Sequence, residues 1–535
     1  MSNRELLLGD DAVALAAIHS GISGAYAYPG TPSTEIFEFI QARAKEHGIQ
    51  AFWSANEKVA YEEALGTSYV GKRAIVSMKH VGLNVAADPF INSASTGVKG
   101  GLVVCVADDP GMHSSQNEQD SRVLARFAQI PCLEPANQQE AYDMTRYAFE
   151  LSEQIRLPVM IRLVTRLAHS RSGVVTAPAV PQNEMNPVEE SMQFTLVPSN
   201  ARVLYRRLLE KQPTIIKCAE ESKWNNLDLP ETPSSIGIIT NGIAYNYVRE
   251  AFGGKVPHPV LRISQSPIPK QKIRNLLSMV DELWIVEEGF PEIEDLVRGV
   301  IEPAGKVIHG KLDGSLPRAG ELTPGIVGKA LLGSWPEGLA KTLDDTPNRP
   351  PALCDGCAHT DTFALFRHAL EPYEKEQGKR IRLYSDIGCY ALAFYEPHDA
   401  IQTCVDMGAS ISMCAGASYV GQFPAICAIG DSTFAHSGMT SLLTASRQNA
   451  NMVVVILDNG TVAMTGTQET LATGQDLVDM VLGLGVDKDH VRVINPVKSK
   501  YEENLAIVKE EIEYKGLSVI IARRPCVQWM RKSKS

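Results

Sequence analysis

Two short apolar runs in the last third of the chain, 425–429 and 452–457, flank a helical pattern over 438–448. The first run breaks at Gly430-Asp431-Ser432 and the second at Asp458-Asn459-Gly460, so periodicity and punctuation predict strand, turn, helix, strand. The same alternation fills the first third, with helices at 10–20, 35–45 and 59–70 and strands at 24–28, 74–77, 101–107 and 158–163. A basic helix over 201–211 leads into strands at 235–240, 260–263 and 282–287. Between these blocks the pattern lapses: 171–200 turns to Pro, Val, Asn and Glu with little period, and 344–351 ends in Asp-Thr-Pro-Asn-Arg-Pro-Pro. An α/β protein is expected, with domains at 1–170, 201–343 and 352–535 joined by linkers at 171–200 and 344–351.

At 535 residues the chain is too long for one core and needs no disulfides to bury enough apolar surface. A net charge of −11 without a long basic block gives a nucleic-acid partner little electrostatic support. No apolar run approaches the roughly 18 residues of a membrane span, and the opening MSNRELLLGDDAV has no signal-peptide pattern. A soluble cytoplasmic protein is therefore expected. Seven of the ten cysteines follow residue 350, which is no secreted disulfide framework. Cys105, Cys414 and Cys427 lie in apolar or small-residue surroundings and read as core positions.

In a parallel sheet, neighbouring strands open their carboxyl ends onto one edge, where ligands bind. Gly-Asp and Asp-Asn-Gly are each ordinary turn chemistry, but their separation by one helix and one strand is more specific. A hard cation held by Asp431, the Asn459 side-chain oxygen and the Thr461 carbonyl keeps positions open for two phosphate oxygens, with Gly430 and Ser432 beside them counted as cofactor-binding residues. That is a candidate Mg2+-diphosphate site. The stretch GDSTFAHSG, followed by ILDNGTVAMTGTQ, resembles the thiamine diphosphate motif, with Ser432 for its usual third-position glycine and Asp458 for the commoner first asparagine. Within that family it is similar to the indolepyruvate:ferredoxin oxidoreductase α subunits, among the 2-oxoacid:ferredoxin oxidoreductases. The resemblance covers about residues 5–528. It implies two doubly wound parallel-sheet domains of one fold, pyrimidine-binding and diphosphate-binding, that meet face to face, with a transketolase C-terminal-like domain between them.

Further residues take their expected roles partly from that resemblance. The Tyr28-Pro29-Gly30-Thr31-Pro32-Ser33-Thr34 loop sits at a strand end, where Ser33 or Thr34 is placed to cap the next helix; the resemblance makes Thr31 a contact of the 2-oxo acid. Glu57 opens a helix, where the dipole favours a carboxylate. A solvated helix start is the plain reading, and the resemblance makes Glu57 the acid that hydrogen-bonds the pyrimidine ring and promotes loss of the thiazolium proton. Lys79, and Arg122 after the polar run HSSQNEQDS, are candidates to pair with a substrate carboxylate. Asn84 is counted with the cofactor-binding residues.

Cys354-Asp355-Gly356-Cys357, Cys389 and Cys526 offer enough thiolate for a zinc site or a [4Fe-4S] cluster. The resemblance implies the cluster, one per chain, taking electrons from the cofactor. Two departures stand out: the usual CPGCPHR is here Cys354-Asp355-Gly356-Cys357-Ala358-His359-Thr360, and the terminal ferredoxin-like domain with its closely spaced cysteines has no counterpart. By the same resemblance the expected function is oxidative decarboxylation of a 2-oxo acid, an aryl pyruvate such as indolepyruvate, to an acyl-CoA. Coenzyme A, a smaller γ-type partner subunit, and ferredoxin or another external acceptor are implied, in a dimer of heterodimers. Two alternatives stay open: a non-redox thiamine diphosphate decarboxylase or carboligase, and a zinc-stabilised non-catalytic subunit.

Overall fold

Continuous apolar runs become strands buried on both faces, because helices cover each side of a parallel sheet. The computed structural model describes residues 4–186, 192–301, 305–339, 341 and 351–533, and the chain divides into two compact units, Met1–Asp344 and Asp345–Ser535. All but the last residue of the linker expected at 344–351 falls outside the described residues. Among the described residues no helix is long and apolar enough to cross a membrane.

In the first unit, β1 (Arg4–Leu8) leads into a six-stranded sheet of β2 (Ile22–Ala27), β3 (Gln50–Trp53), β4 (Arg73–Lys79), β5 (Leu102–Asp108), β6 (Cys132–Leu133) and β7 (Val159–Val164). Its order is β3-β2-β4-β5-β7-β6 and every pairing is parallel. All seven residues of β5 and all six of β7 are buried, as central strands of a doubly covered sheet require. The expected linker at 171–200 is not structureless: β8 (Arg171–Val175) pairs antiparallel with β1. Short, partly exposed and paired with a terminal strand, β8 has no apolar period of its own to reveal it.

The helix expected at 201–211 runs Pro198–Glu220, straight through Pro213. An internal proline costs a helix about 3 kcal/mol, but Leu204, Leu208, Ile215 and Ala219 form one buried stripe across it. Packing of that stripe holds the last two turns in place. A five-stranded sheet follows, made of β9 (Leu227–Asp228), β10 (Ile236–Thr240), β11 (Val260–Arg262), β12 (Glu282–Val286) and β13 (Val307–His309), ordered β13-β12-β10-β11-β9 with only β9 antiparallel.

The second unit is built on β14 (Ile426–Gly430), β15 (Met452–Asp458), β16 (Val491–Ile494) and β17 (Leu517–Arg523), all parallel, in the order β14-β15-β17-β16. Single bridges of Tyr384 to Cys427 and Leu383 to Ile401 extend it beyond β14. The side-chain period of two splits these strands between two cores: Ala428, Val453, Val455, Leu457, Ile520 and Ala522 on one face, and Cys427, Ile429, Val454, Ile456, Val519 and Ile521 on the other. Cys105, Cys414 and Cys427 are buried core thiols.

Candidate active site

Each unit carries one polar cluster at the carboxyl edge of its parallel sheet. In the first, β2, β4 and β5 lie side by side and deliver the Thr31 loop, Lys79 and Asp108-Asp109 to the same edge. Ser114 ties the three together. Its carbonyl accepts from Lys79 Nζ at 2.7 Å, its Oγ donates to the Thr31 carbonyl at 3.1 Å, and its amide donates to Asp109 Oδ2 at 2.7 Å. Asp109 also accepts from Ser115 Oγ at 2.7 Å and Thr165 Oγ1 at 2.8 Å. Burial alone would raise its carboxyl, but these hydrogen bonds outweigh it and keep Asp109 below the usual range. No local pattern in the sequence marks Asp109 as this anchor.

Burial lowers Lys79 to about 8, with Asp109 and Glu57 opposing, so its ammonium is still mostly charged at pH 7. Glu57 is buried at the start of the helix Glu57–Tyr69, behind Asn56, whose side chain accepts from the Val59 amide at 2.9 Å. Its carboxylate rests on Gly82. A Cβ at that position would sit 2.6 Å from Glu57 Oε1 and 2.7 Å from Cγ, so only glycine leaves the room. Ser33 and Thr34 do not cap their helix: Ser33 Oγ donates to the Gly30 carbonyl and the Gly30 amide donates to Thr34 Oγ1, which braces the Thr31 loop instead. Asn84 is exposed, while His80 on the same short helix is buried with neither ring nitrogen hydrogen-bonded within the protein. His80 follows Lys79 directly at the strand end, and that position was its only sequence signal.

Arg122 has a different job from the one expected. Its guanidinium is buried, holding Asp120 Oδ2 at 2.6 Å, Glu287 Oε2 at 2.8 Å and the carbonyls of Glu288 and Phe290. Arg162 beside it binds Asp108 at 2.6 Å and Glu134 at 2.7 Å. These ions tie the first sheet to the end of β12, and Arg122 is spent on that joint rather than on a substrate carboxylate.

In the second unit Gly430 of β14 is in register with Leu457 of β15, so Asp431 and Asn459 emerge side by side. Asp431 Oδ1 accepts from the Ser432 amide at 2.7 Å and Oδ2 from the Gly460 amide at 2.8 Å. Asn459 Oδ1 accepts from the Thr461 amide at 3.0 Å. Asp458 faces away, held by Arg523 Nε and Thr473 Oγ1, both at 2.6 Å. Burial raises Asp431 to about 7; the Ser432 and Gly460 amides only partly offset it, and Asp458 adds to it. A buried carboxylate next to a second acid, flanked by an amide oxygen in a tight turn, is a donor set that a small hard cation completes.

Cys354, Cys357, Cys389 and Cys526 come together although 172 positions separate the first from the last. Burial pushes the Cys389 thiol up to about 12, with Cys357, Cys526 and Cys354 adding to it. Burial likewise raises Cys357, and Cys354 and Cys526 are the cysteines acting on it. The exposed Cys404 interacts instead with Asp386. Both flanks of the group are pinned to the Asp431 and Asn459 turns. The Cys526 amide donates to the Asn459 carbonyl at 3.0 Å, and Thr433 Oγ1 donates to the Ile387 carbonyl, two residues before Cys389, at 3.1 Å. Tyr390 fills the space that Gly430 leaves and its hydroxyl donates to the buried Asp386, raised to about 6 by burial. The sequence reading missed this Tyr390-Asp386 brace.

Residues 15–208 match the family model described as pyruvate flavodoxin/ferredoxin oxidoreductase, thiamine diphosphate-binding, and 386–522 match the C-terminal thiamine pyrophosphate-binding domain of thiamine pyrophosphate enzymes. Indolepyruvate oxidoreductase subunit IorA of Archaeoglobus fulgidus is 38% identical over 98% of this chain and 87% of its own length. The subunit of the same name from Methanothermobacter marburgensis is also 38% identical, over the same shares. Among solved structures, 2-oxoglutarate:ferredoxin oxidoreductase from Magnetococcus marinus, with 2-oxoglutarate, coenzyme A and succinyl-CoA bound, matches at a TM-score of 0.51. That match covers 62% of this chain and 65% of that one at 17% identity, a likeness of fold. With two thiamine diphosphate-binding domains and relatives of this similarity along nearly its whole length, the chain belongs to the IorA family of indolepyruvate oxidoreductase subunits, within the 2-oxoacid:ferredoxin oxidoreductases.

Proposed function

We propose that this chain is the thiamine diphosphate-binding subunit of an enzyme that converts an aryl pyruvate such as indolepyruvate, with coenzyme A, to the acyl-CoA and carbon dioxide. Cys354, Cys357, Cys389 and Cys526 would hold a [4Fe-4S] cluster, which would supply one-electron transfer to ferredoxin or a similar acceptor. The observation that supports the redox reading is the convergence of these four cysteines, with Cys526 and the strand-end loop of Cys389 held against the Asn459 and Asp431 turns. Bound thiamine diphosphate supplies the carbanion chemistry at the 2-oxo carbon.

The chain's own residues then divide the work. Asp431, the Asn459 amide oxygen and the Thr461 carbonyl hold Mg2+, which neutralises the diphosphate, with Gly430 and Ser432 shaping the turn. Glu57 holds a proton at the aminopyrimidine, a task its burial against Gly82 suits. Lys79, kept charged beside Asp109, and Thr31 in the braced loop take the substrate carboxylate and oxo group. Glu57→Gln lowers turnover by about 10²- to 10⁴-fold with cofactor still bound. The IorA relatives are named as subunits, which supports a partner chain; a smaller γ-type partner, a dimer of heterodimers and a cytoplasmic location complete the proposal.

Cofactor content of the anaerobically purified protein tests this reading. About four iron and four sulfide per chain with bound thiamine are expected. Thiamine without iron points to a decarboxylase or carboligase, and zinc without thiamine to a non-catalytic subunit.

A further inference from the structure

Away from both clusters, Asp10, Glu35 and His169 each bring one ligand atom within 4.8 Å of the other two. They lie on three helix ends: Asp10 and Glu35 in the first turns of Gly9–His19 and Thr34–His47, and His169 at the close of Thr165–His169. Gly9 allows the approach. A Cβ there would lie 2.2 Å from the Leu167 carbonyl oxygen, and its amide donates to the Ser170 carbonyl at 3.2 Å.

Helix starts bearing acids are common and mark no site by themselves. Asp10 differs in being fully buried with neither carboxylate oxygen hydrogen-bonded, and it is aimed at the other two groups. Glu35 Oε2 lies 3.6 Å from His169 Nε2, an ion pair just beyond hydrogen-bond length in which each group holds the other toward its charged form. An isolated buried carboxylate needs a proton or a cation. Ligands around a tetrahedral ion with bonds of about 2.0 Å lie about 3.3 Å apart, close to the Glu35–His169 spacing. We propose that Asp10, Glu35 and His169 bind one divalent first-row transition cation of the Zn2+ type, a site separate from the thiamine diphosphate and cysteine sites. One imidazole with two carboxylates favours such an ion over Ca2+ or Mg2+. Burial, then Glu35 and Asp11, push the Asp10 carboxyl well above its usual range, and a dication reverses that push.

Access is open on the side of Glu35 and His169, whose side chains keep 36% and 37% of their surface exposed. Glu35 immediately follows the Thr31–Thr34 loop, so the ion staples three helix ends at the base of that loop.

The test uses Co2+ as the probe on the anaerobic, chelator-treated full chain, with excess Mg2+ and thiamine diphosphate present. Cobalt on nitrogen and oxygen shows d–d bands without thiolate charge transfer, which separates it from cobalt on the cysteines. One such equivalent is expected in the parent protein. His169→Ala and Asp10→Asn, each checked for folding by circular dichroism, should lose it or bind it at least tenfold more weakly. No nitrogen-oxygen band in the parent, or unchanged stoichiometry and affinity in folded His169→Ala, overturns the site and leaves a proton shared between Asp10 and Glu35.

Discussion

The Arg122 guanidinium answers to Asp120 and to Glu287, the latter 165 positions away, and a single substitution there is instructive. Removing one member of a buried ionic group leaves uncompensated charge, at a cost of about 3–5 kcal/mol. Arg122→Ala should lower the unfolding free energy by that amount, read as a lower denaturation midpoint at unchanged slope; loss of substrate affinity at unaltered stability would restore the catalytic role. Asp431 makes a pH prediction. Its carboxyl, raised to about 7 when folded, ionises near 4 when unfolded. The cation-free protein therefore loses stability as pH rises from about 4 to about 7, by up to ~4 kcal/mol. Binding of premixed Mg2+ and thiamine diphosphate should release about one proton at pH 6 and none at pH 8, read by calorimetry in two buffers of different ionisation enthalpy. Asp431→Ala should abolish that binding. The placement of Asp431 and Asn459 at neighbouring strand ends was legible in the sequence because polar turns closing two apolar runs one helix apart leave a local pattern. Arg122 was not, since an arginine looks the same whether it meets a substrate or a distant acid. Gly82, Asp109 and His80 were missed for the same reason: their roles exist only once Glu57, Ser114 and the end of β4 are side by side.

At the scale of elements, fully buried strands announce themselves by unbroken apolar runs, and β5, β7, β14 and β15 fall where those runs lie. Elements stabilised by what they pack against do not. Pro213 argues locally for a helix end, and only the stripe from Leu204 to Ala219 overrides it; β8 exists because β1 pairs with it. The β17 end has chemical consequences, since it carries Cys526 onto the Asn459 carbonyl. Cys389→Ser and Cys526→Ser should each bleach the visible iron-sulfur absorbance, whereas Cys427→Ser, which puts a hydroxyl into the apolar core of β14, should leave it intact and cost about 1–3 kcal/mol of stability. Equal spectra for Cys526→Ser and the parent would remove Cys526 from the ligand set.

For the whole molecule, composition marked breaks near 171–200 and 344–351 but could not show which blocks adhere. The sheet of β9 to β13 belongs to the first unit, where the Arg122 and Arg162 ions fasten it to the six-stranded sheet. The second unit holds the Asp431 turn and the cysteine group along one sheet edge, so the proposed diphosphate clamp and the proposed electron acceptor would share a single support. That shared edge is the core of the functional account. Its most direct test is electron paramagnetic resonance of the anaerobically purified, thiamine-loaded protein, frozen after mixing with indolepyruvate. The account predicts a reduced [4Fe-4S] signal that appears with the 2-oxo acid and is missing from Glu57→Gln and from Cys526→Ser. No signal in the parent protein, or one that persists unchanged in Cys526→Ser, would contradict it.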